Sequence, residues 1–98
     1  MRKRARRDSN HTDIVGTFKA CGCTVLDTAS LGNGAPDIIV AINKKHTICI
    51  EIKDGTLSPS RRVLTLDELT FMQTWKGQYE IVTSVDDVIA LLRERAIS

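Results

Sequence analysis

Aromatic residues are scarce in this sequence: one tryptophan, one tyrosine and two phenylalanines among 98 residues. Four rings are too few to build a stacking platform for single-stranded nucleic acid. No apolar run approaches the roughly 20 residues of a membrane-spanning helix. The basic N-terminus also lacks the apolar segment of a signal peptide, so the expected location is the cytoplasm, away from membranes. Cysteine is limited to Cys21, Cys23 and Cys49. Cys21-Gly22-Cys23 has a single intervening residue and no second pair, which argues against a zinc site and for reduced, partly buried thiols. His11 and His46 lack metal-ligand spacing and read as surface residues. Gly32-Asn33-Gly34 lacks the Lys and Ser/Thr of a phosphate-binding loop and reads as a turn ahead of Asp37. No serine or cysteine has an evident base partner, and nothing points to an organic cofactor.

What is present fits one small soluble domain. Hydrophobic residues make up 42% and charged residues 27% of the chain, ordinary for a globular protein. A chain this short buries a modest share of its surface, which leaves room for help from a partner subunit. The net charge of +2 hides an asymmetry. Arg2, Lys3, Arg4, Arg6 and Arg7 crowd one end, whereas the chain beyond Asp8 holds nine basic and eleven acidic residues. Residues 1–8 therefore form a basic arm on a nearly neutral domain at 9–98. Such an arm suits phosphate contacts, with Arg4, Arg6 and Arg7 as candidates, or serves as a solubilising tail.

Periodicity and punctuation give the order αβββαβα. Asn10 or Ser9 can cap a first helix with Asp13 in its first turn; Ile14, Val15, Phe18 and Cys21 give its apolar stripe, and Gly22 ends it. Cys23 to Thr28 reads as a strand. Asp37 to Ile42 and Thr47 to Lys53 read as two stronger strands, joined through Asn43, Lys44 and Lys45. After a polar loop, Thr65 starts a second helix with Glu68 in capping-box spacing, lined by Leu69, Met72 and Trp75 and closed by Gly77. Gln78 to Thr83 is a fourth strand. Ser84 with Asp87 caps a final helix carrying Val88, Ile89, Leu91 and Leu92.

The two central strands carry the chemistry. Ile38, Val40, Ile42, Ile48, Ile50 and Ile52 all occupy even positions, so each run turns its β-branched side chains to one face. Both runs can cover the same core only across an odd-length turn. With Ile42 opposite His46, Asp37 falls opposite Glu51, on the same face as Lys53. Two carboxylates on neighbouring strands suit a hard cation such as Mg²⁺, and the Ile52 carbonyl can add a ligand. Lys53 can orient the attacking water or stabilise a pentavalent phosphate. The bland alternative is a solvent-exposed ion pair. That face also carries Ile39, Ala41 and Cys49, however, and charges beside apolar residues call for a reason.

Pro36-Asp37, a hairpin, then Glu51-Ile52-Lys53 resembles the PD-(D/E)xK nuclease signature. Further stretches are Arg7-Asp8-Ser9-Asn10 before Asp13-Ile14-Val15, Gly34-Ala35-Pro36-Asp37, Glu51-Ile52-Lys53-Asp54-Gly55, and Ser60-Arg61-Arg62 before Leu64-Thr65. With these, the chain is similar to the virus-type replication-repair nuclease (VRR-Nuc) domain in its stand-alone, phage-encoded form, from about Arg7 to Leu92. The resemblance implies an α/β fold with an αβββαβ restriction-endonuclease-like core, its four-stranded mixed sheet flanked by helices. It implies an Mg²⁺- or Mn²⁺-dependent deoxyribonuclease. Stand-alone members are similar to homodimeric Holliday-junction resolvases, so branched duplex DNA and a second copy are the implied partners. The site it implies has Asp37, Glu51 and the Ile52 carbonyl as metal ligands and Lys53 as the catalytic lysine. If phage-encoded, the protein would act in the bacterial host cytoplasm.

Two departures bear on that site. Asp13 stands where the family usually has a longer Glu, and its alternative role is as a first-turn partner of the helix dipole. Glu68 stands where the family commonly has Gln; it is a candidate accessory residue or simply the capping-box residue. Arg61 and Arg62 follow the catalytic strand, within reach of a phosphate. The rival readings are a non-catalytic nucleic-acid-binding module on this fold and a nuclease preferring flaps or ends.

Overall fold

The even-numbered isoleucines and valines organise the molecule. In the computed structural model, which describes residues 9–97, Ile38, Val40, Ile48 and Ile50 are all fully buried on one face of a sheet. The element order is α1 (His11–Ala20), β1 (Thr24–Asp27), β2 (Ile38–Ala41), β3 (Thr47–Ile52), α2 (Leu66–Thr74), β4 (Gln78–Val82) and α3 (Val85–Ile97). Single 3-10 turns interrupt the loops at Ala29–Leu31 and Pro59–Arg61. The strands lie in the order β1-β2-β3-β4, antiparallel for the first two pairings and parallel between β3 and β4. The expected αβββαβα order and mixed sheet are both present.

Helices α1 and α3 cover the even face. Ile14 and Phe18 of α1 and Val88 and Leu91 of α3 join Ile38, Val40, Ile48, Ile50, Ile52 and Val82 in one apolar cluster. Fully burying one such aliphatic side chain contributes about 1.5–3 kcal/mol, so this layer is the main source of stability. The opposite face receives α2. Phe71 packs its ring 6.1 Å from that of Tyr79, which pairs with Cys49 on that face. Helix α2 buries no residue fully, and its capping box at Thr65 and Glu68 compensates locally. Among the described residues no helix is long and apolar enough to cross a membrane.

Boundaries differ from expectation at several ends. β1 is shorter than Cys23 to Thr28, running Thr24–Asp27; just past its end the Thr28 N–H donates to the Asp37 carbonyl at 2.9 Å and its hydroxyl to the Pro36 carbonyl at 2.6 Å. Helix α2 stops at Thr74 rather than running to Gly77. Trp75 has turned to extended backbone there, and its indole N–H donates to the Gln78 carbonyl at 3.2 Å. His11, expected at the surface, is 5% exposed. It is the first residue of α1 and faces β1, with Nε2 3.8 Å from Asp27 Oδ2. His46 is half-buried against the Gln78 side chain. The basic arm, with Arg4, Arg6 and Arg7, lies outside the described residues.

Candidate active site

Register decides whether the carboxylates meet. Ile38 pairs with Ile50, Ile39 with Cys49 and Val40 with Ile48. The hairpin closes through Ile42, whose N–H donates to the His46 carbonyl at 2.9 Å, leaving a three-residue turn with Lys44 at φ 62. One step beyond Ile38–Ile50, Asp37 therefore lies beside Glu51 on the α2 face, as the hydrophobic parity required. Strand β2 has ended there, and the Asp37 side chain takes over its pairing: Oδ2 accepts the Ile52 N–H at 2.7 Å. A strand residue points its N–H and C=O the same way, so the Ile52 carbonyl also faces the Asp37 side.

Glu51 is only 3% exposed. Its Oε2 lies 3.6 Å from Lys53 Nζ, and its Oε1 is buried without a partner among the described residues. Burial pushes its carboxyl up to about 9; a hydrogen bond with Glu68 and the charges of Asp37 and Glu68 add to this, and Lys53 opposes it. A carboxylate so placed needs a cation or a proton. Lys53 supplies part of that charge but is shared, with Nζ 2.8 Å from Glu68 Oε1.

Glu68 is the capping-box residue of α2, and it also contacts Lys53. Its Oε1 accepts the Thr65 N–H at 2.8 Å while its own N–H donates to Thr65 Oγ1 at 3.2 Å, and the same carboxylate grips Lys53. Burial would raise its proton affinity, but hydrogen bonds from Lys53 and Thr65 outweigh burial and hold its carboxyl below the usual range. The first turn of α2 is seated against the loop before Asp37. A Cβ on Gly34 (φ +81) would lie 2.2 Å from the Asp67 carbonyl oxygen.

The end of β3 is fastened from the other side of the sheet. Asn10 was expected to cap α1 with its side chain, yet no such bond forms. Its Nδ2 instead donates to the carbonyls of Lys53, at 3.1 Å, and Thr83, at 2.9 Å, tying the start of α1 to the residues that directly follow β3 and β4. Ser9 donates to Asp54 rather than capping. Asp13 is exposed on α1, in a cleft with Ser9, Asp54 and Thr56. Among the described residues no hydrogen bond or ion pair joins it to Asp37 or Glu51. Arg61 is exposed and Arg62 half-buried, the latter 3.5 Å from the Gly55 carbonyl in the loop leaving β3.

Sequence reasoning missed Tyr79. Its ring lies on the Glu51 face, and its hydroxyl is buried without a partner among the described residues. Burial, reinforced by the charges of Glu51, Glu68 and Asp37, pushes its ionisation far above the ordinary range, so it remains an O–H donor. One tyrosine with no motif around it gives no sequence signal; only its strand parity with Cys49 could have placed it on this face.

Among the described residues no group of three or more His, Cys, Asp or Glu side chains could hold a metal ion. The donor set on offer is two carboxylates, Asp37 and Glu51, and a backbone carbonyl. Hard divalent cations that retain several waters accept such a set, and the partnerless Glu51 oxygen fits one.

No family model matches the chain, and no curated protein matches it. A solved structure described as a VRR_NUC domain matches with a TM-score of 0.60 at 22% identity, covering 88% of this chain and 97% of that one. At that identity the likeness establishes the fold: the chain has the α/β architecture of a VRR_NUC domain.

Proposed function

We propose that this protein is a divalent-metal-dependent DNA endonuclease. The observation that carries the reading is the convergence of Asp37, Glu51 and Lys53 at one end of β3, with a buried Glu51 oxygen that has no hydrogen-bond donor among the described residues. Asp37, Glu51 and the Ile52 carbonyl would hold Mg²⁺ or Mn²⁺. When bound, the ion supplies charge neutralisation and a more acidic water for phosphodiester hydrolysis. The Ile52 N–H fixes the Asp37 carboxylate, and burial fixes that of Glu51. Lys53, held as an ammonium between two carboxylates, donates toward a phosphate oxygen where negative charge grows. Glu68 positions that ammonium from α2, which couples the lysine to the seating of the helix.

Arg61 and Arg62, in the loop leaving β3, are placed to contact backbone phosphates, and the basic arm with Arg4, Arg6 and Arg7 adds sequence-independent attraction. The preferred substrate in this reading is a four-way junction. A homodimer would set two such sites on opposing strands and so make paired cuts.

The test is cleavage of linear duplex, flap and four-way junction DNA with Mg²⁺, Mn²⁺ or chelator, using wild type and Lys53→Ala. Metal-dependent cutting that Lys53→Ala reduces by about 100-fold or more, with DNA binding retained, supports the reading. Binding without cleavage under any metal would make the protein a binding module. Cutting confined to flaps or ends would remove the junction assignment.

A further inference from the structure

Among the described residues, two buried polar atoms on the Glu51 face have no hydrogen-bond partner: Glu51 Oε1 and the Tyr79 hydroxyl. One is an acceptor when ionised, and the other remains a donor. Their positions follow from the β3–β4 register. Glu51 pairs with Ile81 and Cys49 with Tyr79, so Tyr79 is the diagonal neighbour of Glu51 on the same face. That places the two backbones about 4.8 Å apart across the sheet and about 6.6 Å apart along it. A tyrosine and a glutamate leaning toward each other can span that distance. The ring is held from above: Phe71 lies 6.1 Å away, tilted by 41°, and itself stacks on Trp75 at 5.2 Å. The buried hydroxyl thus lies on the face that carries Glu51, under α2, which covers that face.

Building on the proposed nuclease reading, we infer that Tyr79 is a positioning residue of this site, its hydroxyl donating to a buried water held jointly with Glu51 Oε1 and so orienting the Glu51 carboxylate toward the cation. Two unpaired polar atoms in one buried region each carry a desolvation cost, and a water between them removes both. Outer hydrogen bonds of this kind typically change metal affinity or activity by tenfold or more.

The chain has a single tyrosine, so both site-directed and global labelling address one position. Mg²⁺ and Mn²⁺ affinities are measured calorimetrically for wild type and Tyr79→Phe. In parallel, ¹⁹F NMR follows the full chain carrying 3-fluorotyrosine at position 79. The expected result is about tenfold weaker metal binding in Tyr79→Phe, with a metal-free melting temperature at or modestly below wild type. The fluorine resonance should shift with Mg²⁺ at the midpoint seen by calorimetry. Unchanged affinity in Tyr79→Phe, or a fluorine line that stays put while wild type binds metal, overturns the assignment and leaves the nuclease reading standing. A flat wild-type titration removes both. If Tyr79→Phe fails to fold, the fluorotyrosine protein, which keeps the hydroxyl, decides alone.

Discussion

Replacing Gly34 with alanine should damage the site without altering any of its side chains. A Cβ at this position would lie 2.2 Å from the Asp67 carbonyl oxygen, 2.4 Å from its carbon and 2.9 Å from the Glu68 nitrogen. All three are backbone atoms in the first turn of α2, so no side-chain rotation relieves the contact. Reaching ordinary separation near 3.4 Å demands a displacement of about 1 Å in that turn. A positive φ costs an alanine about 1 kcal/mol, and overpacking typically costs about 1–3 kcal/mol more, for a total of about 2–4 kcal/mol. Gly22→Ala is the control: its φ is +88 but nothing lies within 4 Å, so only the backbone cost of about 1 kcal/mol applies. Urea unfolding of both variants in chelator measures the difference. Because Glu68 moves with the displaced turn, Gly34→Ala should also cleave DNA more slowly, whereas Gly22→Ala should not. Equal destabilisation of the two variants, or full activity in Gly34→Ala, would refute the claim that loop and helix are mutually seated.

Two further outcomes follow from the same geometry. Asn10→Ala deletes both side-chain bonds to the Lys53 and Thr83 carbonyls and should cost about 1–3 kcal/mol in thermal melts; Ser9→Ala, which loses only an exposed bond to Asp54, should stay within about 0.5 kcal/mol. In chelator, Glu51 is protonated up to about 9 in the folded state, against an ordinary value of 4.5. Its stabilising contribution is thus complete below 4.5 and is lost as pH rises through 9, by at most about 1.4 kcal/mol per pH unit. Glu68, shifted the other way, contributes above its ordinary range and loses that contribution only as pH falls below it. Stability of the metal-free protein should therefore decline from pH 5 to 9, and Glu51→Gln should flatten that decline; a wild-type curve flat over this span would contradict the burial argument.

The sequence revealed the central hairpin because its information is nearly binary. Six β-branched residues at even positions permit only an odd turn, and the parity that buries Ile38 and Ile50 necessarily puts Asp37 beside Glu51. The capping box at Thr65 and Glu68 was equally local and equally readable. What escaped depends on contacts distant in sequence. Asn10 has the composition of a cap, but the two strand-end carbonyls 43 and 73 residues away compete successfully for its amide. His11 reads as polar and exposed until α1 turns it toward Asp27. Tyr79 becomes part of the site only through a parallel pairing that crosses an entire helix. Asp13, set in the first turn of α1, could be assigned either to the helix dipole or to a metal; it lies exposed in the cleft beside Asp54.

Crystals grown with Mn²⁺, examined by anomalous scattering, address the shared cation directly. The predicted result is a manganese peak about 2.0–2.3 Å from oxygens of Asp37 and Glu51 and from the Ile52 carbonyl, absent in Asp37→Asn. No peak there, or one elsewhere on the chain, would contradict the account.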